Sequence, residues 1–493
     1  MQFRSTRVSR VVAAGLAAIL AAACSSPEPD QPPDVYLIVI DTLRADRLGC
    51  YGYPRPTSPF IDQLASEGAM FLDNSSQSSW TKPSMVSLMS GHYVTSYKDT
   101  LSEPYPSLAE SFASAGYHCV GVVGNVLLSE KRGFNRGFEH YDAREVTDVE
   151  NAERVARGML KTPCRSIDTM RTGLERVLDE EFARRDAGEH RPVLAYLHPM
   201  EPHDPYEAHP DYASVLPADG LPEVLPTAWH EATAAALDRD LDSEEVRDEW
   251  KVMNEQRARY DREVRHTDEQ LRLFFERLEA QGRLDNAVIA IVADHGEDLY
   301  DHLEMLREET LEKAPLVRAF KQGHGRTHSG PLLSTPFILW GPGIPRGIVV
   351  EDAVENVDLY PTLIELCGLQ GPDALHGRSL TPLMRGESGE WRRDLHSYTL
   401  FATAIRERST GLKLTLVSQA GRKLDGVPQL HDTRTDPEER HNLYEERPDD
   451  VERLTNKLQQ WQAAFPMTSS DPTTTVDPEH LRHMRALGYI GDE

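Results

Sequence analysis

The 493 residues carry 80 Asp and Glu against 53 Lys and Arg, a formal charge of −27. A chain this acidic repels phosphate backbones, which excludes a general nucleic-acid-binding role. Its length exceeds one average domain, so a large α/β domain with a smaller appendage is expected.

Arg4, Arg7 and Arg10 precede the apolar run Val11–Ala23, which is followed by Cys24-Ser25-Ser26 and the Pro-rich, acidic stretch Pro27–Asp34. The run is short for a membrane span and reads as an export signal, residues 1–23, with a tether over 24–34. Leu20-Ala21-Ala22-Ala23-Cys24 resembles a bacterial lipobox, which implies lipidation of Cys24. Ser25, rather than Asp, after that cysteine points to the outer membrane facing the periplasm. The lipid is then the chain's one attachment to a membrane. Of the other cysteines, Cys119 and Cys367 sit in apolar runs and are expected as buried thiols; Cys50 and Cys164 are left open. No CxxC or Cys/His metal spacing is present.

Short β-branched runs then alternate with helical stretches: Val35–Ile40, Val120–Val123, Val193–Leu197, Ala287–Ala293 and Pro336–Trp340. This alternation predicts a mainly parallel sheet covered by helices, one of which presents Tyr260, Val264, Leu271, Phe274, Phe275 and Leu278 on a single face. Polar residues fall directly behind the runs. Asp41 follows the first, Asn125 the second, His198, Glu201 and His203 the third, and Asp294-His295 the fourth. Sheets of this kind bind ligands beyond the carboxyl ends of their strands, so four runs deliver chemistry to one edge. Asp238–Glu249 and Glu304–Lys321 read as charged, solvated insertions near it. A Pro/Gly-rich boundary over Gly371–Trp391 separates a catalytic domain, 35–390, from an α+β subdomain, 391–493. That subdomain's antiparallel strands are expected at Ala402–Arg406, Lys413–Val417 and Gln429–His431, with a closing helix over Asp449–Phe465.

Two segments carry the chemistry. In Trp80-Thr81-Lys82-Pro83-Ser84-Met85, Thr81 suits an N-cap and Pro83 the first helical turn, so a helix starts at Thr81 and ends at Gly91. Its free N–H groups attract an anion and stabilise an alkoxide. In Val288–Glu297 a buried strand ends in Asp294-His295-Gly296-Glu297. Adjacent oxygen and nitrogen ligands suit Zn²⁺ or Mn²⁺, with Ca²⁺ less favoured by histidine.

With Ile40-Asp41-Thr42-Leu43-Arg44-Ala45-Asp46, Gly133–Phe138, Pro202-His203-Asp204-Pro205-Tyr206, Gly323-His324-Gly325 and Asn356–Thr362, these segments resemble the sulfatase family of the alkaline-phosphatase superfamily. The resemblance extends to Leu430–Pro437 and Arg485–Tyr489 at the end of the chain. It implies an ester hydrolase in which Asp41, Asp294, His295 and Thr81 hold one divalent ion, a second ion being left open. It makes His203 and His324 catalytic contacts to the substrate, with Asn125 and Lys82 as further substrate contacts. The roles of His198, Glu201, His302 and His328 stay open between a second metal ion and loop structure.

The departure from the family pattern decides the reading. Where the family's motif has Cys or Ser in C/S-x-P-S-R, converted to formylglycine, this chain has Thr81-Lys82-Pro83-Ser84-Met85. Threonine bears a methyl on its β-carbon and cannot become formylglycine, and Met85 removes the motif's arginine. Gly124-Asn125 replaces the family's Lys-x-His pair. Threonine is the nucleophile in superfamily members acting on phosphorus, so the expected activity is hydrolysis of phosphate mono- or diesters, on a small or polymeric substrate. Three alternatives remain: a sulfuric ester hydrolase, a phosphoryl head-group transferase, and a degenerate surface binding protein.

Overall fold

Seven buried residues form the central strand β1 (Asp34–Ile40), a run rich in β-branched side chains. The computed structural model describes residues 31–93, 100–102, 104–144, 165–221, 243–303, 320–325, 327–387, 391, 393–399, 401–418 and 427–465. The lipobox with Cys24, the thiol of Cys164 and the ending Arg485–Tyr489 lie outside these residues.

Strands β2 (Ala69–Phe71), β3 (Asn74–Ser75), β4 (His118–Val123), β5 (His140–Asp142), β6 (Val193–His198), β7 (Ala287–Ala293), β8 (Asp298–Leu303), β9 (Phe320–Gly323), β10 (Phe337–Trp340), β11 (Ile348–Val350) and β12 (Val354–Glu355) follow β1. Seven of them join β1 in one eight-stranded sheet in the order β11-β2-β10-β7-β1-β6-β4-β5. All its pairings are parallel except those of β10 with β7 and β2. Helices cover both faces, which is why the inner strands are continuously apolar rather than alternating. Val35, Leu37 and Val39 pack on one side with Met85, Leu88 and Met89 of the helix Thr81–Ser90. Tyr36, Ile38 and Ile40 pack on the other with Tyr260, Phe274 and Phe275 of the helix Glu244–Ala280. The five expected strands are present, each displaced by no more than two residues at its ends.

The charged stretch Asp238–Glu249 resolves, from Glu244 onward, into the first turns of that 37-residue helix. Most of Glu304–Lys321 lies outside the described residues, and Lys321 is in β9. Among the described residues no helix is long and apolar enough to cross a membrane.

The C-terminal unit is an antiparallel meander of β13 (Leu395–Tyr398), β14 (Ala402–Arg406), β15 (Leu412–Val417) and β16 (Gln429–Asp432). The helix Pro448–Ala464 closes it through Leu454, Leu458 and Trp461. β13 was not among the expected strands; its residues Leu-His-Ser-Tyr lack an apolar alternation because Ser397 and Tyr398 are spent on the seam with the sheet domain. Ser397 meets His328 Nδ1 at 2.6 Å, and Tyr398 meets Ser87 at 2.9 Å. Lys413 Nζ reaches Glu439 at 2.7 Å and also donates to the His328 carbonyl. Cys50, Cys119 and Cys367 are free, the last two buried as expected.

Candidate active site

β1 and β7 run side by side with Ile40 opposite Ala293, so the residues that follow them, Asp41 and Asp294, leave the sheet together. Both carboxylates and His295 are fully buried. One ligand atom from each lies within 4.8 Å of the others, the only such group among the described residues.

Each side chain is held by its own hydrogen bonds. Asp294 Oδ1 accepts from the N–H groups of Thr42 at 3.2 Å and His295 at 2.8 Å, while Oδ2 has no hydrogen-bond partner. Asp41 Oδ2 accepts from Asn125 Nδ2 at 2.7 Å and His198 Nε2 at 3.2 Å, while Oδ1 has none. His295 donates from Nδ1 to the Gly296 carbonyl at 2.8 Å, so its Nε2 carries the lone pair. Nε2 stands 3.4 Å from Asp294 Oδ2 and 4.0 Å from Asp41 Oδ1. Thr42 takes the left-handed conformation, φ 56°, which turns its N–H toward Asp294.

The electrostatics follow from two carboxylates facing each other away from water. Burial lifts the Asp294 carboxyl well above its usual range, and the neighbouring Asp41 charge adds to it. Burial acts on Asp41 in the same sense, but the His198 hydrogen bond, with the attraction of His203, outweighs it and holds this carboxyl low. Burial also lowers His295, keeping the ring neutral. Two orphaned carboxylate oxygens beside a neutral imidazole nitrogen form the donor set a divalent cation requires, so the residues fit such an ion.

Thr81 is the first residue of the helix Thr81–Ser90; the capping position belongs to Trp80 rather than to Thr81 as the sequence suggested. The reason is that Trp80 already has extended dihedrals, φ −149° and ψ 138°, and its carbonyl takes the first helical bond, from Ser84 N–H at 3.2 Å. Thr81 Oγ1 is thereby released toward the carboxylates, 3.2 Å from His295 Nε2 and 3.5 Å from Asn125 Nδ2. Lys82 is fully buried with Nζ 4.5 Å from the centre of the Trp80 ring.

The two further histidines arrive on loops. The His324 ring is 4.5 Å from that of His295, and the His203 ring is 4.9 Å from that of His324. His324 Nδ1 donates to Glu297 Oε1 at 2.9 Å, and His203 Nδ1 to the Asp204 carbonyl at 2.5 Å. Burial, the first cause, raises Glu297 to about 8.

His198, left open by the sequence, contacts Asp41 directly. Glu201 instead accepts from the Ile167 N–H at 3.1 Å, and His328 belongs to the seam. His302 is in β8, and its side chain lies outside the described residues.

A layer beneath the site was not legible as functional. Ser76 donates to the Asp294 carbonyl at 2.5 Å, and Ser84 donates to the same oxygen. Asn356 donates to the Ala293 carbonyl at 2.8 Å and accepts from Asn74 at 2.8 Å. Arg44 donates to the Glu297 carbonyl at 3.0 Å, and its backbone N–H bonds Tyr260 at 2.9 Å. By contrast the Gly133–Phe138 motif is structural, with Arg136 pairing Glu110 at 2.7 Å and the Gly137 Cα set against the backbone of Ala109 and Glu110.

Residues 33–369 match the model of the family described as Sulfatase. The chain belongs to the sulfatase family. It is an ester hydrolase, and enzymes of this family use a divalent metal. Residues 326–464 match a second model, described as N-sulphoglucosamine sulphohydrolase, C-terminal. The chain is 24% identical to an arylsulfatase of Clostridium perfringens over 86% of this chain and 94% of that enzyme. It is 24% identical to an ulvan-active sulfatase of Formosa agariphila over 87% of this chain and 80% of that enzyme. The fold is that of a phosphonate monoester hydrolase of Agrobacterium radiobacter, with a TM-score of 0.65 and 19% identity over 88% of this chain and 96% of that one. The mainly parallel sheet with its antiparallel C-terminal subdomain is thus alkaline-phosphatase-like.

Proposed function

We propose that this sulfatase-family enzyme hydrolyses phosphorus esters, mono- or diesters, with Thr81 as nucleophile. The observation that carries the reading is a residue with a single hydroxyl beside the cation-binding group, Thr81 Oγ1 at 3.2 Å from His295 Nε2. A formylglycine hydrate has a second hydroxyl, through which a sulfated intermediate collapses by C–O cleavage. Thr81 has none, so its ester must be opened by water at the transferred atom, a displacement that phosphorus supports well.

Asp41, Asp294, His295 and Thr81 would hold the divalent ion. When bound, such an ion lowers the pKa of the threonine hydroxyl and offsets charge on the transferring group. In the chain's own part, Thr81 yields its hydroxyl proton to solvent, Oγ bonds to phosphorus as the bond to the leaving oxygen breaks, and that oxygen takes up a proton through His203 or His324. Asn125 Nδ2, already at Thr81 Oγ1, donates to a non-bridging oxygen, and the buried Lys82 is a further substrate contact. Water then attacks the phosphothreonine opposite Oγ, the P–Oγ bond breaks, and the proton given up by the water restores the threonine hydroxyl.

The second reading, sulfuric ester hydrolysis, is favoured by the family and by the relatives' names. Aryl phosphate, bis-aryl phosphate and aryl sulfate at equal concentration, with Zn²⁺, Mn²⁺ or Ca²⁺ in turn, separate the two. Sulfate turnover above both phosphate esters, lost in Thr81→Ala, would overturn the proposal. Transfer to an added alcohol would mark a transferase, and metal binding without turnover a binding protein. We also propose that the chain is exported and anchored by a lipid on Cys24, supported by the apolar run ending in three alanines. Mass spectrometry of the mature N-terminus tests this, and a chain starting elsewhere would overturn it.

A further inference from the structure

Asp41 is surrounded unevenly. Oδ2 takes two hydrogen bonds, from Asn125 Nδ2 at 2.7 Å and from His198 Nε2 at 3.2 Å, whereas the equally buried Oδ1 takes none. Asn125 is fixed from behind, because its Oδ1 accepts from the Leu127 N–H at 2.9 Å.

His198 is fixed by its own strand. Side chains two apart on β6 point to the same face, which brings the Tyr196 hydroxyl to 3.1 Å from His198 Nδ1. Both residues are buried from bulk solvent. The phenol O–H donates and Nδ1 accepts, which leaves a ring proton on Nε2, toward Asp41. The other tautomer would set a lone pair against a carboxylate oxygen.

The second acid is arranged in the same way. Asp294 Oδ1 is taken by the N–H groups of Thr42 and His295, and only Oδ2 is left without a partner. Each carboxylate thus offers one oxygen. With His295 Nε2 and Thr81 Oγ1 the donor atoms come to four. Four donors with one imidazole suit zinc, whereas calcium takes six to eight oxygens, a number more easily reached when carboxylates bind through both oxygens.

We infer that Tyr196 and His198 are positioning residues that occupy Asp41 Oδ2, hold Asp41 to a single oxygen toward the cation, and so favour a four-coordinate ion over calcium. The inference rests on the metal centre of the proposed function and is independent of whether phosphorus or sulfur esters are cleaved.

The test uses the metal-stripped full chain, titrated separately with Zn²⁺ and Ca²⁺ by calorimetry, together with ¹⁵N spectra of His198. Wild type should bind zinc in preference and show the Nε2–H tautomer. His198→Ala should weaken zinc by about 10–100-fold, the range for a partner that orients a metal ligand, and calcium by less, so that the zinc-to-calcium ratio falls. His198→Gln retains an N–H donor and should recover part of that ratio. Should His198→Ala fail to fold by circular dichroism, Tyr196→Phe decides, because it removes one hydroxyl and should lower the ratio while depopulating the Nε2–H tautomer. An unchanged ratio in the folded variants, or a wild-type His198 protonated on Nδ1, overturns the inference while the metal centre stands. Wild type that binds neither ion overturns both.

Discussion

Thr81 Oγ1 stands 3.2 Å from His295 Nε2, the ring nitrogen left without a proton by the Nδ1 bond to the Gly296 carbonyl. The first residue of a helix and a residue two past the end of β7, 214 positions apart, therefore share one point. The hydroxyl can lose its proton there without a charged base beside it only if a cation offsets the alkoxide.

Thr81→Ala should then abolish turnover, by at least about a thousandfold, since loss of a nucleophile leaves only binding and electrostatic stabilisation. Thr81→Ser keeps the oxygen and should retain measurable activity on the better phosphorus ester. Steady-state kinetics on the two variants check this. Equal activity of Thr81→Ala and wild type would move the nucleophile elsewhere.

The metal centre predicts a crossover in stability. In the metal-free chain Asp294 faces Asp41 without compensation, so Asp294→Asn should be as stable as wild type or more so. A divalent ion at a hundredfold its dissociation constant should stabilise wild type by about 2.7 kcal/mol and leave Asp294→Asn nearly unmoved. Thermal denaturation with and without Zn²⁺ or Mn²⁺ reads both effects. An equal metal-induced rise in the two proteins would place the ion at another site.

Much of this centre was legible because strands and acids follow simple rules. A parallel sheet buried on both faces writes itself as apolar runs, and Asp41 and Asp294 end two of them at the same edge. His198 was legible in kind but not in role. It ends β6 as Asp41 follows β1, but Ile38 pairs with Leu197, so the register sets His198 across from Val39, and only its side chain reaches forward to Asp41. The supporting layer was hidden for a different reason. Ser76 and Ser84 act through hydroxyls on a backbone carbonyl, a contact that no side-chain spacing in the sequence encodes.

Gly296 makes a local test of that layer. A Cβ built there would lie 1.9 Å from the Pro331 carbonyl oxygen and 3.2 Å from Arg44 Cγ, because the Gly296 N–H bonds Leu332 at 2.8 Å. Gly296→Ala must push the loop away from Pro331, at about 1–3 kcal/mol for an overpacked site. His295 accepts its orientation from the Gly296 carbonyl, so metal affinity should fall together with thermal stability. Unchanged metal affinity in a folded Gly296→Ala would show that His295 is oriented without it.

The last expectation concerns pH in the metal-free chain. Burial raises Glu297 to about 8 and, with Asp41, raises Asp294 well above its ordinary value; burial also brings Glu201 and Asp268 to about 7. An acid whose folded pKa is raised holds its proton in the fold when the unfolded chain has already lost it. Between the ordinary values of 3.8 and 4.5 and about 8 the folded state therefore binds more protons, and its stability falls as pH rises. Each unit of displacement is worth about 1.4 kcal/mol at most. Asp41, held low, acts oppositely: its contribution is present above its ordinary 3.8 and is lost as pH falls below that value. Denaturation of the metal-free chain from pH 4 to 9 should thus show a midpoint that declines across the range, on the scale those pKa values set. Saturating metal should flatten the part due to Asp294, since the cation stabilises the ionised carboxylate. The same flattening should be absent in Asp294→Asn. A metal-free midpoint that rises steadily from pH 5 to 8 would mean that these acids are ionised in the fold, and that the two carboxylates are compensated by a charge other than the proposed cation.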